Sequence, residues 1–416
     1  MPVDPRFVVW CAACGWNADP GGGEPAEGGR IDRMRRGMAQ RYGEQLFAEL
    51  AHEPDAAAVP GPGAAGVWAA ALAAVVHGLT AALVALGLWL VIAGWGEGLQ
   101  PVLGLLALGF AFVLRPRFGS LAGVRQDAPV LERADAPGLF ALLDEVAGAV
   151  GTVGVEAVVV GAEANASVWT YGVRQRRVLR LGMSLWATLG RQERIALLGH
   201  EFGHYAHGDT RHSLWVGSAL RSLDTWSYLL APNDGDTLMD QFVNMLTALP
   251  RWTVHGLTLL LDQTTLRASQ RAEYLADSSA ARAAGPAAAA ALMDGLLCAE
   301  GAETTLQRET VAARTRLGGA AARHDDPADG LWDRIATQMA AVPDHERARL
   351  RRVAELRGHS VDATHPPTHL RHRRIAESEA RTARVVLDEE RAATVDRELA
   401  GAAQAVARRI MRDGHA

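Results

Sequence analysis

Cysteine is scarce: Cys11, Cys14 and Cys298 are the three thiols in 416 residues. Three thiols cannot build the paired framework that staples small secreted domains, and their scarcity fits a reducing, cytoplasmic side. Clustered positive charge is missing as well. With a net charge of −5 and a pI near 6.3, the chain offers no basic footprint for nucleic acid, and no basic stripe stands out away from the flanks of its apolar runs. No internal repeat is evident. Charge of either sign is absent from residues 64–95, where His77 is the one ionisable group, and again from residues 99–114.

What fills those uncharged stretches is apolar. The first is long enough to cross a bilayer with some tilt, and the second, opened by Pro101, lies near the lower limit for a span. The short turn Gly96-Glu97-Gly98 between them makes the pair a helical hairpin. Arg30, Arg33, Arg35, Arg36 and Arg41 precede it and Arg115, Arg117 and Arg125 follow it, so the positive-inside rule puts both outer ends in the cytoplasm. The run begins too far from Met1, behind an acidic and Gly-rich stretch, to be a cleaved signal peptide. Residues 1–63 read as a flexible cytoplasmic tail, with Gly21-Gly22-Gly23 and Pro60-Gly61-Pro62-Gly63 as breakers and one short helix near residues 34–51. Within it, Cys11-Ala12-Ala13-Cys14-Gly15 looks like one knuckle of a zinc ribbon. A structural zinc needs four ligands and no second knuckle exists, so a second zinc at Cys11 and Cys14 and a free dithiol both stand as readings.

From Leu131 the pattern becomes that of a globular domain. Residues 137–150 are helix-like, residues 156–160 form a short β-branched strand, and residues 167–171 and 177–181 flank Gly172 as a hairpin. Residues 213–262 are apolar, but Arg221, Asp224 and Arg251 with Pro250 interrupt them, which favours amphipathic helices on a membrane or over a site above two further spans. Residues 281–360 read as helical with loop signals at residues 318–319 and 324–327.

The segment Leu198-Gly199-His200-Glu201-Phe202-Gly203-His204 carries the H-E-x-x-H signature in a helix-compatible run. At i and i+4 the two histidines share one helix face, so both imidazoles can reach one metal at about 2.0–2.1 Å. Glu201 then leans over the water at that metal, which is the place of a general base. A catalytic zinc takes a third protein ligand, and Arg271-Ala272-Glu273-Tyr274-Leu275-Ala276-Asp277 puts Glu273 and Asp277 on one helix face. One carboxylate could bind the metal while the other accepts the N–H of a ligating histidine.

Taken in order, His200-Glu201-Phe202-Gly203-His204, Glu273-Tyr274-Leu275-Ala276-Asp277 and His365-Pro366-Pro367-Thr368-His369-Leu370-Arg371 resemble the three motifs of the HtpX-like and CAAX prenyl protease family of membrane zinc metallopeptidases. The resemblance runs from about Leu131 to Ile375, and the apolar hairpin fits HtpX-like members. His372 stands where the last motif usually has an aliphatic residue.

The resemblance implies a mainly α fold with a small β-sheet (α+β), a zincin-like metallopeptidase domain behind a transmembrane hairpin. It implies one catalytic zinc on His200, His204 and Glu273, Glu201 as catalytic base, and Asp277 as the hydrogen-bond partner behind a ligand. His365 and Arg371 would then lie near the scissile carbonyl and steady the oxyanion. Asn165 and Ala166 would belong to an edge strand that pairs with an extended substrate. The expected organisation is a tail over 1–63, a membrane hairpin over 64–114, a peptidase domain over 119–385 and a helical C-terminal tail over 386–416. The expected activity is that of a multi-pass membrane endopeptidase with its site on the cytoplasmic side, acting on protein or peptide substrates beside the lipid bilayer, with membrane-protein quality control as a setting. A prenyl-protein processing peptidase and a non-hydrolytic membrane adaptor are the alternatives; the intact Glu201 argues against the second.

Overall fold

The computed structural model describes residues 4–21, 30–51, 64–96, 98–116, 120–172, 174–207, 209–235, 237–317, 326–357 and 365–413. The expected breakers at residues 22–23 and 60–63 and most of the loop at residues 318–327 lie outside them. Fifteen helices and four strands follow in order among the described residues: α1 (Arg30–Ala51), α2 (Ala64–Ala93), α3 (Gln100–Leu114), α4 (Leu121–Asp127), β1 (Val130–Leu131), α5 (Pro137–Val150), β2 (Ala157–Gly161), β3 (Ala166–Tyr171), β4 (Arg176–Gly182) and α6 (Met183–Trp186). After these come α7 (Arg191–Ala206), α8 (Asp209–Leu229), α9 (Leu238–Ala284), α10 (Pro286–Leu297), α11 (Ala299–Leu317), α12 (Leu331–Ala340), α13 (Asp344–Arg357), α14 (Thr368–Ala376) and α15 (Glu389–Asp413). The fold is mainly α with one small sheet, the class expected from the sequence.

The chain divides into two compact units, one of Met1–Ala57, Ser120–His207 and Ser269–Ala416, the other of Ala58–Gly119 and Gly208–Ala268. The first unit is built on the mixed sheet β1-β2-β4-β3, in which β2 and β4 run parallel and the other neighbours antiparallel. β3 and β4 are the hairpin read around Gly172, which opens the turn at φ 68°. That leaves β3 as an edge strand. Its core packs α5 and α7 against the sheet through Leu143, Val146, Val158, Leu181, Leu198 and Phe202, all buried. Pro137 starts α5 and Gly151, at φ 87°, ends it, so the helix has the Pro-first, Gly-last signature of a bounded element.

Two stretches read as tails are docked instead. In α15, Leu399, Val406 and Ile410 join the core, and the Glu398 carboxylate accepts the N–H groups of Gly138 and Leu139 at 2.9 and 2.7 Å, capping α5. Near the other end, the Trp10 indole donates to the His345 carbonyl at 3.1 Å and Arg357 grips Asp19 with two bonds of 2.6 and 2.7 Å. The helix read near residues 34–51 is α1, whose Leu46 and Leu50 bury themselves on Tyr274. Composition suggested looseness because the polar residues face outward; burial of the few apolar positions decides the docking.

The second unit joins α2, α3, α8 and the first part of α9. Ala73, Val76, Leu114, Leu223, Trp226 and Leu261 form its interior. α2 and α3 are a helical hairpin that closes on glycine: a Cβ at Gly104 would lie 2.8 Å from the Gly87 carbonyl oxygen. Ala65–Ala93 is the one stretch of helix among the described residues long and apolar enough to cross a membrane; α3 is shorter. Within residues 213–262 the chain forms α8 and the first part of α9, helices as read, with Pro250 inside α9.

Candidate metal centre

α7 is the platform of the site. Its start is fixed by the Glu193 side chain, which accepts the Gly190 N–H at 3.0 Å and sets a negative charge by the helix N-terminus. Ile195, Leu198 and Phe202 turn into the core, and Tyr205 donates its hydroxyl to the Trp169 carbonyl at 2.8 Å, tying the helix to β3. α9 crosses α7 closely because glycine stands at the crossing. A Cβ on Gly199 would lie 2.9 Å from the Ala283 Cβ, and one on Gly203 only 2.8 Å from the Ala276 Cα. α14 completes the frame, and with it come His365 just before its start and Arg371 within it.

These elements bring the ligand atoms to one point. His200 Nε2 and His204 Nε2 are 3.3 Å apart, and each lies 3.5 Å from a different oxygen of Glu273. Donors at the corners of a tetrahedron with bonds of about 2.05 Å stand roughly 3.3 Å apart, and the contacts here, which run to both oxygens of Glu273, are close to that spacing. The Glu273 Oε2 is buried and has no directed hydrogen bond, although His200 and Arg371 approach it, which leaves it an acceptor for a cation. Two imidazoles and one carboxylate are also the donor set of a catalytic zinc with one position left open. On these grounds the residues fit a zinc ion.

Behind the ligands lies a buried ion-pair chain. His200 turns its Nδ1 to Asp277 at 3.0 Å, and Asp277 receives two hydrogen bonds from Arg371, 2.8 Å from Nε and 2.7 Å from Nη2. Burial disfavours the charge on Asp277, but the Arg371 guanidinium outweighs it, with His200 helping, and holds the carboxyl down at about 2. Glu273 is lowered in the same way: burial opposes, and Arg371 followed by His200 and His204 prevails. Burial likewise works against the His200 cation, yet hydrogen bonds to Asp277 and Glu273 raise its pKa to about 10 in the metal-free protein. Glu201 goes the other way. Burial pushes its carboxyl up, against the opposing charges of His200, His204 and His365.

The structure therefore gathers His200, Glu201, His204, Glu273, Asp277, His365 and Arg371. His365 stands with Nε2 3.3 Å from Glu273 Oε1 and a quarter of its side chain exposed, at the rim. Arg371, expected near the scissile carbonyl, stands behind the histidines. It is 2% exposed and its guanidinium is spent on Asp277 and Glu273, because two buried carboxylates need a cation more than an open cleft does. Asn165 and Ala166 belong to a separate feature, the start of the edge strand, where the Asn165 carbonyl accepts the Gly182 N–H at 3.0 Å. Cys11 and Cys14 are free thiols in a turn closed by Gly15 N–H to the Cys11 carbonyl at 2.8 Å, and no third donor joins them among the described residues. His372, off the expected pattern, faces Asp294 at 3.7 Å. Sequence reasoning missed Gly199 and Gly203; the small residues Ala276, Ser279, Ala280 and Ala283 at helical spacing were the available signal.

The chain matches Peptidase family M48 over residues 139–379, more than half its length and the span that holds every ligand. It belongs to this family. No curated protein and no solved structure matches it. Membership makes the chain a metallopeptidase, a hydrolase of peptide bonds whose substrates are proteins or peptides. The M48 peptidases are zinc-dependent, and His200, His204 and Glu273 are the cluster here that can hold the metal.

Proposed function

We propose that this M48 peptidase is a membrane-anchored zinc endopeptidase, with its site on the cytoplasmic side, that cuts extended or partly unfolded segments of membrane proteins as part of their quality control. The observation that carries the chemistry is the mutual spacing of 3.3–3.5 Å among the donors of His200, His204 and Glu273, with Glu201 buried beside them. His200, His204 and Glu273 would hold the zinc, which would supply Lewis acidity toward the scissile carbonyl and water. Glu201 takes the proton of the attacking water and hands it to the leaving amine; its raised pKa suits both halves of the transfer. Asp277 keeps the His200 Nδ1 protonated so that Nε2 faces the metal, and Arg371 keeps Asp277 charged. We assign His365, at the rim and 3.3 Å from Glu273, to the substrate carbonyl.

An extended substrate would add to the outer edge of β3, which among the described residues pairs with β4 alone and which Tyr205 ties to the helix of His200 and His204. Anchoring is supported by the apolar α2 and by the arginines that precede and follow the α2–α3 hairpin. Glu201→Gln tests the mechanism: the purified variant should keep its zinc and its fold yet lose hydrolysis of unfolded casein. Cleavage at the wild-type rate would exclude Glu201 as the base.

A further inference from the structure

Helix α1 has no part in the catalytic scheme above, yet it touches both carriers of the site. Among its described side chains the buried positions are Ala39, Gly43, Leu46 and Leu50, spaced four, three and four apart, so they form one helix face. That face lies on α9 beside the metal-facing stripe. Gln270 and Tyr274, three residues before and one after Glu273, are both fully buried. Gln270 donates its amide to the Ala39 carbonyl at 2.9 Å and Tyr274 its hydroxyl to the Gly43 carbonyl at 3.1 Å. The donors are one turn apart on α9 and the acceptors one turn apart on α1, so the two helices are fixed in register as well as in distance.

The same face meets the segment that carries His365. A Cβ added at Gly43 would lie 2.7 Å from Pro367 Cδ and 3.5 Å from Pro366 Cβ, so the glycine is what lets α1 rest on the two prolines between His365 and α14. One turn further on, Arg373 of α14 stacks on Phe47 of α1, 4.3 Å from the ring centre. Gly43 is thus the point at which α1, the Glu273 helix and the His365 segment meet.

We propose that α1 is a positioning element of the metal centre, with Gly43, Gln270 and Tyr274 as positioning residues that hold Glu273 and the His365 segment in zinc-binding register. The inference rests on the zinc reading of the site. Residues that orient a metal ligand from behind typically affect metal affinity by about 10–100-fold, and a shift of α1 would act on the ligand Glu273 in that way.

The full-length chain carrying Gly43→Val is compared with Gly37→Val, a β-branched substitution in the same helix where a Cβ meets nothing within 4 Å. Zinc affinity is read by chelator competition, and casein hydrolysis gives KM and kcat. Gly43→Val should bind zinc at least about 10-fold more weakly, with a lower kcat and a KM within about twofold of wild type. Gly37→Val should match the wild type in all three. Tyr274→Phe, which removes one hydrogen bond and keeps the ring, should weaken zinc binding by a smaller factor and gives a readout if Gly43→Val does not fold. A merely structural α1 would lower the melting temperature and leave the zinc affinity of folded protein unchanged. That result in Tyr274→Phe or Gly43→Val overturns the proposal. A wild-type chain that binds no zinc would overturn the zinc reading itself, a failure distinct from this one.

Discussion

Arg371 shows what a single side chain can do from behind a site. The chain contains no lysine, so its permanent side-chain cations are guanidinium groups, and here the planar fork matches the two oxygens of Asp277 while one nitrogen reaches Glu273 at 3.3 Å. Removing it would leave two carboxylates buried without their cation, and His200 would lose a fixed partner. Arg371→Ala should therefore weaken zinc binding by about 10–100-fold as well as lower kcat. Loss of kcat with zinc affinity intact would restore the oxyanion role expected from the sequence. Arg371→Lys keeps the charge without the fork and should recover only part of the affinity. His200 gives a pH dependence whose sign can be worked out. Its raised pKa of about 10 means that the metal-free protein holds a proton on it at pH 7, and zinc needs the neutral ring. Zinc uptake at pH 7 should release about one proton from this residue, and apparent affinity should rise roughly tenfold per pH unit until the pH passes that pKa. Binding enthalpies measured in buffers of different ionisation heat report the proton; identical enthalpies would mean that His200 is already neutral.

At the scale of elements, the site depends on how closely α7 and α9 can approach. Gly199 and Gly203 face Ala276, Ser279, Ala280 and Ala283, and the contact at Gly203 is with backbone, which cannot swing away. Gly203→Val should force the helices apart at the turn between His200 and His204. Lower zinc content and a lower melting temperature are expected together. A variant with full zinc occupancy would mean that the crossing is not what sets the ligand spacing. The helix of His200 and the helix of Glu273 were legible from their periodicity, and the β3–β4 hairpin from Gly172 and its flanking β-branched and aromatic residues. α1 and α15 were legible as helices but not as parts of the core. Their burial depends on a few positions such as Leu46, Leu50, Leu399 and Ile410, whose partners lie far away in the chain.

At the scale of the molecule, the second unit turns apolar side chains outward. Trp68, Trp89, Ile92, Trp95, Leu249 and Trp252 are each more than three-fifths exposed, an amount of bare apolar surface that water does not favour. The membrane anchoring proposed above would cover it. Reporter fusions placed at Glu97 and after Arg125 should then report opposite sidedness, with the second in the cytoplasm; equal sidedness would reject a hairpin that spans.

By itself the sequence determined the chemistry. H-E-x-x-H on one helix and Glu273 with Asp277 on another are local patterns, and helical periodicity alone places each pair on one face. The apolar runs are local in the same sense, since the absence of charge over residues 64–95 needs no partner to be read. Only the tertiary structure decided which carboxylate stands with the two histidine nitrogens and what Arg371 holds. It also decided that α1 and α15 dock. Each of these turns on distances between residues separated by tens to hundreds of positions, and those distances are set by close packing at Gly43, Gly199 and Gly203, where the chain has no side chain to advertise the contact.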